Sequence, residues 1–264
     1  MTEGLLEGVV DKAPLLKQKR SGRHAAGNTG RHRISHTQEP GIHKGNDADH
    51  TISRWWGDRG VARSWSEGEG VNPRTRFAIQ DTLAKSHFYH GLTSDSTLLD
   101  LGVGAKTYLT PDLVPQGAHV IAADKSPEML SELQKNFSNF YEGFVETDAR
   151  NLQFPPDQFN RIASTLMMRY LSVEEQQQAV LEMIRTAKPG AQIHIIDFDN
   201  IEGYPHQKAT FDPDRLLVDF QMSNFQNRLQ ALGKRIERAS ATEIPRDFDG
   251  AKGHLHYMTL AVGD

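Results

Sequence analysis

The 264-residue chain contains no cysteine. That excludes disulfides, thiolate metal sites and a cysteine nucleophile, and it accords with a reducing compartment. No apolar run approaches the roughly 18 residues that a membrane-spanning helix requires. The start, Met1-Thr2-Glu3-Gly4, lacks the basic stretch and apolar run of a secretory signal. A soluble, cytoplasmic protein is expected. Positive charge is not in excess either: 30 Lys and Arg stand against 34 Asp and Glu, a net charge of −4, which argues against a dedicated nucleic-acid surface. Apolar residues make up 37%, a lean share for a globular protein. The deficit is local, because all 12 Phe, 6 Tyr and 3 Trp lie from Trp55 onward. An ordinary globular domain is diluted by a polar segment.

That segment, residues 1–53, reads as a disordered basic and His-rich tail, and residues 54–264 read as the folded domain with a helical cap at its start. Between Lys17 and Lys44 seven basic residues face one acid, Glu39, with Gly, Ser, Asn and His between them, so nothing there nucleates a core. His24, His32, His36, His43 and His50 are irregularly spaced and lack an accompanying carboxylate pattern, so a solvated tail is expected rather than a metal site.

From Trp55 the pattern turns globular. Residues 73–90 carry Phe77, Ala78, Leu83, Ala84 and Phe88 at helical spacing. Short apolar strands are expected over 96–101, 118–123, 144–147, 159–164 and 191–198. Residues 172–188 form an amphipathic helix with Ser172 as N-cap, Val180, Met183, Ile184 and Ala187 on the buried face, and Pro189-Gly190 as stop. A helix over 215–232 and strands over 235–239 and 254–262 follow. The alternation predicts a doubly wound, Rossmann-like α/β sheet, mostly parallel, with helices on both faces.

The stretch that carries chemistry is Leu98-Leu99-Asp100-Leu101-Gly102-Val103-Gly104-Ala105-Lys106. A strand runs into a Gly-x-Gly turn, which lets backbone approach a ligand where a Cβ would collide. Twenty residues after Gly104, Asp124 ends the second strand, where an acid accepts hydrogen bonds from ribose hydroxyls. Ser126-Pro127-Glu128 starts the next helix with a cap, a proline at the first turn and an acid on the dipole. Asp148, after the third strand, offers a carboxylate to an exocyclic adenine amine. Acids ending three successive strands make a far more specific pattern than a lone Gly-x-Gly.

From about residue 70 the chain resembles the class I S-adenosylmethionine-dependent methyltransferases. The family's LDLGxGxG reads here as Leu99-Asp100-Leu101-Gly102-Val103-Gly104. Its "D-x-S-x-x-M-L" reads as Asp124-Lys125-Ser126-Pro127-Glu128-Met129-Leu130, and its "x-D-A-x-x-L-P-F" as Thr147-Asp148-Ala149-Arg150-Asn151-Leu152-Gln153-Phe154. Met183 to Gly190 resembles the family's "L-R-V-L-K-P-G-G". The resemblance implies S-adenosyl-L-methionine as cofactor and an antiparallel last strand over 254–262. It places Gly102 and Gly104 beside the methionine portion, Asp124 on the ribose, and Asp148 with Ala149 on the adenine. Asp100, Lys125 and Thr165 complete the implied cofactor set. There are departures. Lys106 stands at the third glycine, where it crowds the cofactor, reaches its carboxylate or points to solvent. Pro111 and Pro115 shorten or break the helix after the first strand. Asn160 replaces an acid, as a solvent-side change. Thr107 stands where a nicotinamide dinucleotide fingerprint needs its third glycine.

The acceptor side is less marked. The Asn/Asp-Pro-Pro-aromatic signature of amino-group methylases is absent after the fourth strand, and without cysteine the covalent route to 5-methylpyrimidines is closed. Asp199-Asn200 follows the fifth strand, but Leu166 and Met167 stand where a metal-dependent catechol enzyme places its first acid, so no metal is expected. Asp199 and His206 are the candidate catalytic residues, His206 as a general base. Arg169, Tyr170 and Tyr204 are the candidates for holding the acceptor. Trp55, Trp56 and Trp65 either form a lid or pack the first helix down. The expected function is metal-independent methyl transfer to a small molecule. The alternatives are a non-methylating enzyme on the same cofactor fold, or an RNA or protein methyltransferase that uses the basic tail.

Overall fold

The computed structural model describes residues 54–67, 73–199, 208–244 and 254–263. The expected tail, 1–53, lies outside the described residues. Strand order is set by apolar segments that alternate with helices. The strands are β1 (Thr97–Leu101), β2 (His119–Asp124), β3 (Gly143–Glu146), β4 (Phe159–Thr165), β5 (Ala187–Phe198), β6 (Arg235–Ile244) and β7 (Leu255–Gly263). They form one sheet in the order β3-β2-β1-β4-β5-β7-β6. The first five pair in parallel, and β7 runs antiparallel to both β5 and β6. The doubly wound reading and the antiparallel last strand hold.

Period-two alternation divides the sheet's side chains between two cores. Leu99, Leu101, Ile193 and Ile195 pack on one face with α4 (Val173–Thr186), α5 (Pro213–Asp219) and α6 (Ser223–Ala231). Leu98, Val120, Ile196 and Phe198 pack on the other with α2 (Pro73–Lys85) and α3 (Pro127–Phe137). The α4 N-terminus is a full capping box: Glu175 N–H donates to Ser172 Oγ (3.3 Å), and Ser172 N–H donates to the Glu175 carboxylate (2.7 Å). Such a cap contributes on the order of 1 kcal/mol.

Four expectations need correction. The helix over 172–188 ends at Thr186, because Ala187 is already extended and pairs with Phe159 of β4. The helix over 73–90 ends at Lys85, and His87 turns the chain with φ 63° so that Phe88 reaches the core. The helix over 215–232 is two helices. Leu216 and Phe220 share one face, as do Phe225 and Leu229, but the step from 220 to 225 is out of phase with 3.6 residues per turn. The break at Met222 restores the phase and brings the Phe220 and Phe225 rings to 4.7 Å. Asn160 is not a solvent-side change: its Oδ1 accepts from Thr97 N–H (2.9 Å) and Lys188 Nζ (3.1 Å), tying the starts of β1 and β4 together. Between β1 and β2 the prolines leave one 3-10 turn, Pro111–Leu113, in place of a helix. Among the described residues no helix is long and apolar enough to cross a membrane.

Candidate functional site

At the carboxyl edge of the parallel strands lies a cavity of about 280 Å³. Its floor begins where β1 ends. Gly102 and Gly104 both take left-handed φ, 66° and 64°. A Cβ on Gly102 would sit 2.7 Å from the Met167 side chain, so no larger residue fits. A Cβ on Gly104 would meet no atom within 4 Å, and the residue lines the cavity, so the backbone there is open to the cavity.

Asp124 closes one side. Its Oδ2 accepts from Gly104 N–H (2.8 Å) and its Oδ1 from Ser126 N–H (2.9 Å). Burial raises its carboxyl above the ordinary range, against the pull of these amides. Asp148 follows β3. Burial works to raise its carboxyl, but Arg150 and Lys125 outweigh it and hold it well below the usual range. Arg150 Nη2 lies 2.6 Å from Asp148 Oδ2 and Lys125 Nζ 3.1 Å from the same oxygen. Arg150 also pairs with Glu175, which anchors it to α4. On the floor, the buried Thr165 Oγ1 has no hydrogen-bond partner.

A separate wall closes over the floor. The Asp58 carboxylate caps α1 (Arg59–Ser66) by accepting from Gly60 and Val61 N–H (2.7 and 3.1 Å). Trp56, Val61 and Trp65 pack with the buried Ala62, Ala105 and Met129. Ser126 Oγ donates to the Trp56 carbonyl (2.8 Å), and the Trp56 ring meets the Trp65 and Tyr170 rings edge-on at 5.3 and 5.0 Å. Trp56 and Trp65 both line the cavity and also pack the first helix down on Ala105 and Met129, so each of the two expected roles has a footing.

The cavity brings together Gly102, Gly104, Asp124, Lys125, Asp148, Ala149, Thr165 and Tyr170. It does not include three of the expected residues. Asp100 is turned to the opposite face by strand alternation, where its Oδ2 accepts from Tyr141 OH (2.6 Å) and Thr107 Oγ1 (2.7 Å). Burial pushes its carboxyl up to about 6, despite those two hydroxyls. Arg169 is buried and committed to Asp197: Nη1 to Oδ1 at 2.6 Å and backbone N–H to Oδ2 at 3.0 Å. Its Nη2 donates to Tyr170 OH (3.0 Å), so it positions Tyr170 rather than meeting an acceptor. The Asp199 carboxylate accepts from His254 N–H (2.6 Å) and faces His256 (3.6 Å), fastening β5 to β7 away from the cavity. Tyr204 and His206 lie outside the described residues. Arg76, Lys106, Tyr108, Arg150, Met167 and Lys208 line the cavity as well. Lys106 was singled out by its place in the glycine motif. The others carry no local signal, except that Met167 fills the volume Gly102 vacates.

A glycine cradle open to ligand, an acid at the end of β2 and an orphaned buried hydroxyl fit a nucleoside-bearing cofactor. Together with the strand order they agree with the resemblance to the class I S-adenosylmethionine-dependent methyltransferases. The family model described as a methyltransferase domain matches residues 98–190. A demethylmenaquinone methyltransferase of Clavibacter sepedonicus is 34% identical over 102 residues, 38% of this chain and 40% of that protein. An arsenite methyltransferase of Halobacterium salinarum is 26% identical over 194 residues, 66% of this chain and 47% of that protein. The match thus spans less than half the length of either relative. The magnesium protoporphyrin IX methyltransferase of Synechocystis PCC 6803, solved with bound SAH, shares the fold. It has a TM-score of 0.56 and 14% identity, over 81% of this chain and 99% of that one.

Proposed function

We propose that the protein transfers the methyl group of S-adenosylmethionine to a small-molecule acceptor, by in-line displacement and without a metal ion. One observation carries this reading: the open cradle at Gly104 and the acids Asp124 and Asp148 share a single cavity with the aromatic wall of Trp56, Trp65 and Tyr170. Gly102 and Gly104 flank the methionine portion, Asp124 faces the ribose, and Asp148 with Ala149 faces the adenine. Thr165 offers its hydroxyl from the floor. Asp148 is already occupied by Arg150 and Lys125. Lys125 is the more exposed of the two, so it is the donor that yields to an adenine amine.

When bound, S-adenosylmethionine supplies a methyl group on a sulfonium, whose departure needs no proton. The chain therefore contributes proximity, alignment and a water-poor cavity. The aromatic wall excludes water, and Arg169 fixes Tyr170 within it. Asp199, fastened to His254, is not a base in this reading. His206 takes that role for an acceptor that must lose a proton, and Tyr204 lies beside it in sequence. The names of the two curated relatives and of the Synechocystis enzyme specify small molecules, which supports an acceptor of that kind.

The test is to incubate the full chain with S-adenosylmethionine and a panel of small acceptors, with and without EDTA. Mass spectrometry should find S-adenosylhomocysteine and a methylated product in equal amounts, insensitive to the chelator. Bound cofactor that yields no methylated product with any small acceptor, but methylates added RNA or protein, would contradict the acceptor class. Loss of turnover with EDTA would contradict the metal-free route.

A further inference from the structure

Five cations line the cavity, and three of them are ion-paired, sharing two carboxylates. Lys125 pairs with Asp148, Arg150 with Asp148 and Glu175, and Lys208 with Glu175 (3.3 Å). Arg76 and Lys106 differ. Arg76 reaches over from α2, donates from Nη1 to the Thr107 carbonyl (2.8 Å) and lies 4.8 Å above the Tyr108 ring. Lys106 extends from the same loop. Among the described residues no carboxylate makes an ion pair with either. Two acids of the cavity are engaged elsewhere: Asp124 by two backbone amides, and Asp148 by Arg150.

Burial lowers the Arg76 pKa, and burial and then the Arg76 charge lower that of Lys106. Two like charges drawn partly out of water cost free energy until an anion joins them. The cofactor does not supply that anion in net terms. Its carboxylate arrives with its own ammonium, and the sulfonium adds another positive charge.

We propose that Arg76 and Lys106 form a subsite for a carboxylate on the methyl acceptor, so that the acceptor is an acidic small molecule with an apolar body. This rests on the methyl-transfer reading above. The apolar body matches the wall built by Trp56, Trp65, Tyr108, Leu166, Met167 and Tyr170, while the cations fix its orientation at one end. The carboxylate is the anchor, and the atom that takes the methyl group lies elsewhere on the molecule.

Benzoate and benzamide, nearly equal in shape and different in charge, are suitable probes. Titrated into the full chain loaded with S-adenosylhomocysteine, benzoate should bind about tenfold more tightly than benzamide, as a charge-assisted contact requires. The preference should vanish in Lys106→Met and persist in Lys106→Arg. Equal binding of the two probes to the wild type, or an unchanged preference in Lys106→Met, would overturn the subsite alone. Competition between benzoate and S-adenosylhomocysteine would assign the cations to the cofactor carboxylate and overturn it too. Failure of S-adenosylhomocysteine itself to bind would overturn the methyl-transfer reading along with it.

Discussion

The floor of the cavity and the wall that closes over it are built by different means. The floor comes from strand ends held in register: Leu101 opposite Ala123 and Ser164, and Thr165 opposite Ile196. Its polar groups are fixed by backbone, as when Gly104 and Ser126 N–H groups clasp Asp124. The wall comes from α1 and the residues before it, held by ring contacts and the hydrogen bond from Ser126 to the Trp56 carbonyl. A floor of that kind fixes position, whereas a wall of side chains resting on a small cluster can move apart. Substitutions in the floor should therefore change both stability and binding, and those in the wall mainly binding.

The largest effect on folding is expected at Gly102. A Cβ there meets left-handed strain of about 1–2 kcal/mol and overpacking against Met167 of similar size, so Gly102→Ala should lose roughly 3 kcal/mol in denaturant melts. Asp124→Ala removes a charged acceptor and should weaken S-adenosylhomocysteine binding by about 2–3 kcal/mol in calorimetry. Asp100→Asn tests the buried acid beneath the floor. The folded-state pKa of Asp100 is raised to about 6, so its contribution to stability is present at low pH and is lost as pH rises through that value. Asn accepts from the same two hydroxyls without titrating. The wild type should therefore lose up to about 2–3 kcal/mol relative to Asp100→Asn between pH 4 and pH 7, since each pKa unit is worth about 1.4 kcal/mol. A pH-independent difference would contradict a titrating Asp100. In the wall, Trp56→Ala should cost no more than about 1–2 kcal/mol of stability, because that side chain is only partly buried, yet loosen the cofactor several-fold.

The same contrast separates what local sequence conveys from what it does not. The strands, the glycine turn and the acids at the ends of β2 and β3 follow from short-range pattern. So does the shortening of the segment after β1, where Pro111 and Pro115 break the helix and one 3-10 turn remains. The split near Met222 was also present locally, in the five-residue step between Phe220 and Phe225. Asp100 was harder. It shares a motif with the glycines, but one step of alternation turns it to the Tyr141 side. Arg169 and Asp199 were assigned to ligand chemistry because a sequence shows charges and not their partners. Asp197 lies 28 residues from Arg169, and His254 lies 55 from Asp199. Arg76 on α2 meets the glycine loop 31 residues away, a juxtaposition that only the fold produces.

Titration of S-adenosylhomocysteine into the full chain and into Gly104→Ala tests the central claim most directly. The new methyl group meets no protein atom, so stability should fall only by the left-handed strain, about 1–2 kcal/mol. Because it occupies space assigned to the cofactor, binding should fall by a factor of a hundred or more, roughly 3 kcal/mol. Unchanged affinity in Gly104→Ala, with the wild type binding, would show that the cofactor does not lie against this turn and would contradict the account.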